Sequence, residues 1–283
     1  MKLVKKSNDL IQARYSLSKN EQRLVLYLVS KLHRDDQDFK YYKFTYQELA
    51  DLTDISKTQV YTELQTIAQN LLQKPICFKK DNQKLFCNWC SSFKFDEETN
   101  ECSIRFDPGL KPYLLQLQQY FTSYNLEYTT GFTSKHSFRI YEICKQYQKL
   151  YQRRVAIAEF KLLLNLEGKY SVIAMLKKNV IRPALADINK YSDLIVDVAY
   201  IKTGRKITEI ELTIKSKLDN CLNEKQESLI VEDNQENIIR DEKKNEILER
   251  NVKIKKKWDV MTKEERSQWP KGFVQFRACS GKK

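Results

Sequence analysis

The chain has 283 residues, with 50 Lys plus Arg against 37 Asp plus Glu, a formal charge of +13, and only 6 glycines and 5 prolines. Gly and Pro together reach about one third of their ~12% average share. The glycines stand at 109, 131, 168, 204, 272 and 281, so neither a GxGxxG nor a GxxxxGK[ST] loop can be written. A dinucleotide fold and a Walker-type NTPase are thereby excluded, because both need bare backbone to approach phosphate.

In chain order, Ser18 and Glu21 form a capping-box pattern ahead of a helix carrying Leu24, Val25, Leu28 and Leu32. A polar loop (34–38) leads to a short strand, Tyr41 to Phe44. Thr45 then caps a short helix, Tyr46 to Leu52, with Glu48 at its third position. After a turn at Asp54-Ile55-Ser56, Ser56 is expected to open a longer helix with the stripe Val60, Leu64, Ile67 and Leu71, ended by Pro75. Strands at Leu85 to Phe95 and Cys102 to Phe106 follow, joined across the acidic segment Asp96-Glu97-Glu98-Thr99-Asn100.

The second half repeats this order. Ser134 starts a helix with Phe138, Tyr141, Ile143 and Cys144. An extended piece, Val155 to Ile157, leads to a small helix over Ala158 to Asn165, with Gly168 in the turn. A longer helix from about Tyr170 carries Val172, Ile173, Leu176, Val180 and Leu185 inward and is kinked or interrupted at Pro183. Strands Leu194 to Ile201 and Ile207 to Ile214 are joined by Lys202-Thr203-Gly204-Arg205-Lys206. Phe44, Glu48 and Leu52 precede Val155, Glu159 and Leu163 by a constant 111 residues, the mark of a duplication. The expected fold is α+β and helix-rich: tandem winged helix-turn-helix domains over 1–130 and 131–218, with a polar C-terminal extension. In that extension, 219–257 reads as a charged linker or exposed helix. Residues 258–283, with Trp258, Trp269, Phe273 and Phe276, form a small segment of unassigned role.

Charge is uneven along this layout. Residues 1–218 carry +11, 219–257 carry −1 and 258–283 carry +3. A basic body attracts a polyanion, with nucleic acid the first candidate. Seven cysteines, an odd number in a chain of this length, suit a reducing cytoplasm. Met1 to Leu10 has no apolar stretch behind its basic residues, and the apolar run Leu24 to Val29 is too short for a bilayer, so neither signal peptide nor membrane partner is expected.

In a helix-turn-helix the second helix enters the major groove with its early exposed side chains on base edges. With the apolar stripe inward, Ser171, Lys177, Lys178, Asn179 and Arg182 remain as base-reading candidates. Asn can pair bidentately with adenine, and Arg or Lys with guanine. Lys202, Arg205 and Lys206 on the basic hairpin tip are candidates for the phosphate backbone, as are Ser134 and Lys135 at the start of their helix. The first copy offers Lys57, Thr58 and Gln59, but its hairpin tip is acidic, which suits self-association better than phosphate tracking.

The segments Asn8 to Leu17 with Glu21-Gln22-Arg23-Leu24, Phe106-Asp107-Pro108 followed by Pro112-Tyr113-Leu114, Ser134 to Tyr147, Val180 to Asp193 and Lys202 to Lys206 resemble, in order, the initiator Rep family of theta-type plasmid replication. The resemblance covers roughly 7–218. It implies binding of origin iterons as a monomer, and autorepression at an operator as a homodimer joined through the first domain. It also implies recruitment of a host DnaA-type initiator and the replicative helicase, with no cofactor and no enzymatic activity. The family's base-reading cluster falls on Lys177, Lys178 and Asn179, where Asn179 departs from an all-basic run.

Alternatives are a winged-helix repressor without an initiation role, a replication nicking enzyme or an interaction adaptor. A nicking enzyme would need a metal-holding His pair beside a tyrosine, yet the two histidines, His33 and His136, lie more than a hundred residues apart. His136 is expected at the surface, whereas Arg139 either pairs with Glu142 or points at DNA. Cys87 and Cys90 read as thiols on opposite faces of one strand rather than zinc ligands.

Overall fold

The computed structural model describes residues 2–218, apart from 34, 54, 57, 58 and 81, together with 253, 260, 262 and 264. The linker expected at 219–257 and the segment at 258–283 therefore lie outside the described residues, those four positions aside. The elements run β1 Leu3–Ser7, α1 Asn8–Gln12, α2 Lys19–Val29, β2 Tyr42–Thr45, α3 Tyr46–Thr53, α4 Val60–Gln73, β3 Ile76–Lys80, β4 Gln83–Cys87, β5 Cys90–Asp96, β6 Glu101–Phe106, α5 Lys111–Leu114 and β7 Phe121–Asn125. They continue as α6 Lys135–Gln146, β8 Gln152–Ala156, α7 Ile157–Leu163, α8 Ile173–Leu176, a π-turn at Lys177–Ile181, α9 Arg182–Tyr191, β9 Leu194–Thr203 and β10 Lys206–Ser216.

Local chemistry sets the helix starts. Ser18 Oγ accepts from the Glu21 N–H while Glu21 accepts from the Ser18 N–H at 2.8 Å, closing the capping box of α2. Thr45 and Glu48 do the same for α3, at 3.1 and 2.9 Å. The two copies share one sheet topology. In the first, β2 pairs β6 and β6 pairs β5; in the second, β8 pairs β10 and β10 pairs β9, all antiparallel. Two winged-helix domains result, each with the wing hairpin behind the longer helix. A single apolar core runs through both, from Val4 through Phe44, Leu64 and Trp89 to Phe138, Val180 and Ile214.

Several expectations need correction. The strand expected at Leu85 to Phe95 is two: β4 closes a hairpin with β3, and β5 belongs to the first wing. The chain leaves the ladder at Asn88 and Trp89 to bury the indole completely, and the Trp89 carbonyl accepts from the Asp107 N–H at 3.2 Å. Cys87 and Cys90 are consequently on different strands. The longer helix of the first copy begins at Val60, with Gln59 rather than Ser56 at its cap and no side-chain cap bond. That of the second begins at Ile173 rather than Tyr170, because Tyr170 sits at φ 52, a left-handed conformation that cannot start a right-handed helix. The second hairpin is tighter than expected: Thr203 pairs Lys206, leaving the two-residue turn Gly204-Arg205. Gly204 takes φ 61 at the first turn position, as a type II′ connection requires.

Candidate nucleic-acid interface

The long helix of the second domain runs unbroken from Ile173 to Tyr191 through its π-turn. Pro183 is the cause of that turn: in an α-helix its ring would meet the carbonyl four residues back, at Asn179. The helix widens instead, and the Arg182 N–H bonds to the Lys177 carbonyl, five residues back. Leu176, Val180, Ile181 and Ala184 point into the core. The opposite face carries Met175, Lys178, Asn179 and Arg182, all exposed and each three or four residues from another, and Ser171 is exposed just ahead of the helix.

Lys177 stands apart from the other four candidates. It is half-buried, with Nζ 3.4 Å from the centre of the Tyr200 ring on β9, a cation–π contact that ties helix to wing. Arg182 is also close to Tyr200, whose hydroxyl is raised by burial and drawn back by the guanidinium. Lys202, Arg205 and Lys206 are exposed on the wing. Among the described residues, no hydrogen bond or ion pair engages the side chains of Lys178, Asn179, Arg182, Lys202, Arg205 or Lys206. The nearest acid on the helix, Asp187, is turned inward. It accepts from the Thr133 and Ser134 N–H groups at 2.8 and 2.9 Å and from Ser137 Oγ at 2.6 Å. Its charge is thus satisfied at the N-terminus of α6, where the helix dipole favours an anion, and does not offset the cations outside.

In the first copy, Gln59 is exposed at the head of α4, while Lys57 and Thr58 lie outside the described residues. Glu97, at the tip of that wing, accepts from Tyr61 OH of α4. The acidic wing therefore folds onto its own helix.

Ser134 caps α6, accepting from the His136 N–H at 3.2 Å, and Lys135 is exposed beside it. His136, expected at the surface, is only 7% exposed. Residues His136 to Cys144 are all buried, because α6 packs against the first domain as well as α9. Burial, with Lys135 and Lys169 nearby, pushes the His136 imidazole down to about 4. Arg139 is resolved in favour of the interior. It reaches Glu142 at 3.4 Å and donates to the carbonyls of Ile11 and Ala13 at 2.8 Å. Its guanidinium lies 3.9 Å over the Tyr15 ring. Glu142 in turn accepts from Lys6 at 2.7 Å and Tyr124 OH at 2.6 Å. Burial alone would raise this carboxyl, but Lys6 and Arg139 hold it below the usual range.

Two residues on the exposed face were missed. Val172, assigned to the inward stripe, is 58% exposed, and Met175 is 47% exposed. Val172 occupies the helix cap and makes no side-chain cap bond, where Ser or Asp would be worth ~1 kcal/mol. The signal for Met175 lay in its spacing: it falls three residues before Lys178 and four before Asn179. Burial pushes the Cys87 thiol up to about 11 and that of Cys102 up to about 12. Among the described residues, no group of three or more His, Cys, Asp or Glu side chains is placed to hold a metal ion, and no helix is long and apolar enough to cross a membrane.

Comparison with known proteins places this geometry. The model described as Initiator Replication protein, WH1 matches residues 3–145, and that described as Initiator Rep protein, WH2 matches residues 156–214. A replication initiation protein of Escherichia coli is 31% identical over 223 residues, which is 74% of this chain and 70% of that one. An uncharacterized 27.6 kDa protein of Escherichia coli is 22% identical over 223 residues, 73% of this chain and 93% of that protein. The crystal structure of Pi initiator protein in complex with iteron DNA shares the fold, with a TM-score of 0.61 at 17% identity over 75% of this chain and 96% of that one. With both winged-helix models matched in order and the duplication visible in the sheets, the chain belongs to the initiator replication protein family.

Proposed function

We propose that this chain binds double-stranded DNA at the iterons of a plasmid origin and thereby initiates replication. One observation carries the reading: an exposed polar and cationic face, on which Lys178, Asn179 and Arg182 have no partner among the described residues, stands beside a basic wing tip, while the acid of the same helix, Asp187, is turned inward. In this reading the domains divide near 130/131, with the chain after 218 outside them. The second domain is the principal reader: Lys178, Asn179 and Arg182 meet base edges, with Ser171 at the helix entry. Lys177, held on Tyr200, sets the angle between helix and wing. Lys202, Arg205 and Lys206 track phosphates, and Ser134 and Lys135 add contacts at the start of α6.

The first domain contributes backbone contacts at Lys57, Thr58 and Gln59 in the monomer and an interface in the homodimer, which represses the chain's own promoter at an operator. A host DnaA-type initiator and the replicative helicase are the further partners, and the chain works in the cytoplasm as a binding protein without cofactor or catalysis. The solved Pi initiator complex, with iteron DNA bound to the same fold, supports this reading. Footprinting the purified chain on the DNA flanking its own gene tests it. Protected tracts repeating with one sequence are expected; uniform coverage without preferred tracts would overturn the reading.

A further inference from the structure

Val172 and Met175 lie at the start of the helix face that carries Lys178, Asn179 and Arg182, and each leaves about half of its surface to solvent. Leu176 and Val180, one position or five along from Met175, already fill the core with no exposure. Met175 is half out of it, and Ala174 beside it is exposed as well. Two large apolar side chains and a methyl thus sit at the N-terminal end of the face that carries Lys178, Asn179 and Arg182. If that face lies in a major groove, the base-edge group it can match is the C5-methyl of thymine, the one apolar group presented there.

We infer that Val172 and Met175 read thymine methyl groups, and so help to set the sequence the chain prefers. Their neighbour Asn179 supplies the matching polar contact. An A·T pair shows adenine N7 and N6 and the thymine methyl on a single edge; Met175 and Asn179 stand about one turn apart, with Val172 at the cap about one turn further back. This inference rests on the proposed reading of DNA by the second domain.

The test uses the full chain and the duplex tract it protects beside its own gene. That tract is synthesised with 2′-deoxyuridine in place of thymidine at one position at a time, which removes the methyl and leaves the hydrogen-bonding edges intact. Wild type is expected to lose about 4-fold in affinity at each contacted position, the equivalent of ~0.8 kcal/mol for one buried methyl-sized group. Met175→Ala with Val172→Ala should bind thymine and uracil tracts alike while still preferring the tract to a scrambled duplex. Met175→Leu should keep the wild-type difference. Both residues are exposed, so the truncation leaves the core closed. Wild type that prefers the tract over scrambled DNA but ignores uracil at every position would overturn the methyl contact and leave the initiator reading standing. The same uracil sensitivity in the double alanine variant would likewise overturn it. Absence of any preference over scrambled DNA would instead sink the proposed function itself.

Discussion

Glu142 shows how a residue can be spelled out locally and still be unreadable from sequence. Its spacing to Arg139 on one helix allows an ion pair, and the pair forms, yet Lys6 and Tyr124, from β1 and β7, and Tyr15, from the loop before α2, complete the cluster. A buried carboxylate between two buried cations has its desolvation offset only while all partners remain. Glu142→Gln removes the charge and strands Lys6 and Arg139, so urea unfolding should show a loss on the order of 3–5 kcal/mol. A loss below 1 kcal/mol would mean the cluster is not the lock it resembles. His136 differs for a related reason: its position at the head of a helix suggests solvent, but α6 is buried from His136 to Cys144 by elements distant in sequence. Val172 reads as core by hydrophobicity alone, whereas the left-handed Tyr170 delays the helix and leaves Val172 outside the packed face.

Short elements with their own chemistry were legible. The Ser18–Glu21 and Thr45–Glu48 boxes, the glycine turn at Gly204 and the order helix, strand, helix, longer helix, hairpin in both copies depend on residues within a few positions. Pairings closed by distant segments were not. β1 joins β7 across more than a hundred residues, and the β3–β4 hairpin was merged into the first wing because nothing local marks the excursion that buries Trp89. The π-turn also escaped, since Pro183 announces a defect without saying whether the helix kinks, stops or widens. At the wing, Arg205 is the second residue of the two-residue turn and makes no ion pair among the described residues. Arg205→Ala should weaken binding to every duplex alike and make the slope of log K against log salt shallower by about one unit. An unchanged slope would take the wing tip out of the interface.

Taken as a whole, residues 1–218 combine two copies of one fold on a shared core with +11 of net charge. The copies keep the same three-stranded sheet but have diverged in electrostatics: the first wing is acidic and bonded to its own helix through Tyr61, the second is basic at its tip and leaves those cations to solvent. The buried Lys6–Glu142–Arg139 cluster and the Gln22–Lys135 bond hold the copies together, so a DNA-bound second domain fixes where the first one lies. Sequence reading by the exposed face of the second domain is the claim on which the rest depends. Its most direct test is the ratio of affinities for the protected tract and a scrambled duplex of equal length, measured for wild type and for Lys178→Ala with Asn179→Ala. Loss of the two base contacts at ~1–3 kcal/mol each should collapse the ratio by at least tenfold while nonspecific binding persists; an unchanged ratio would contradict the assignment.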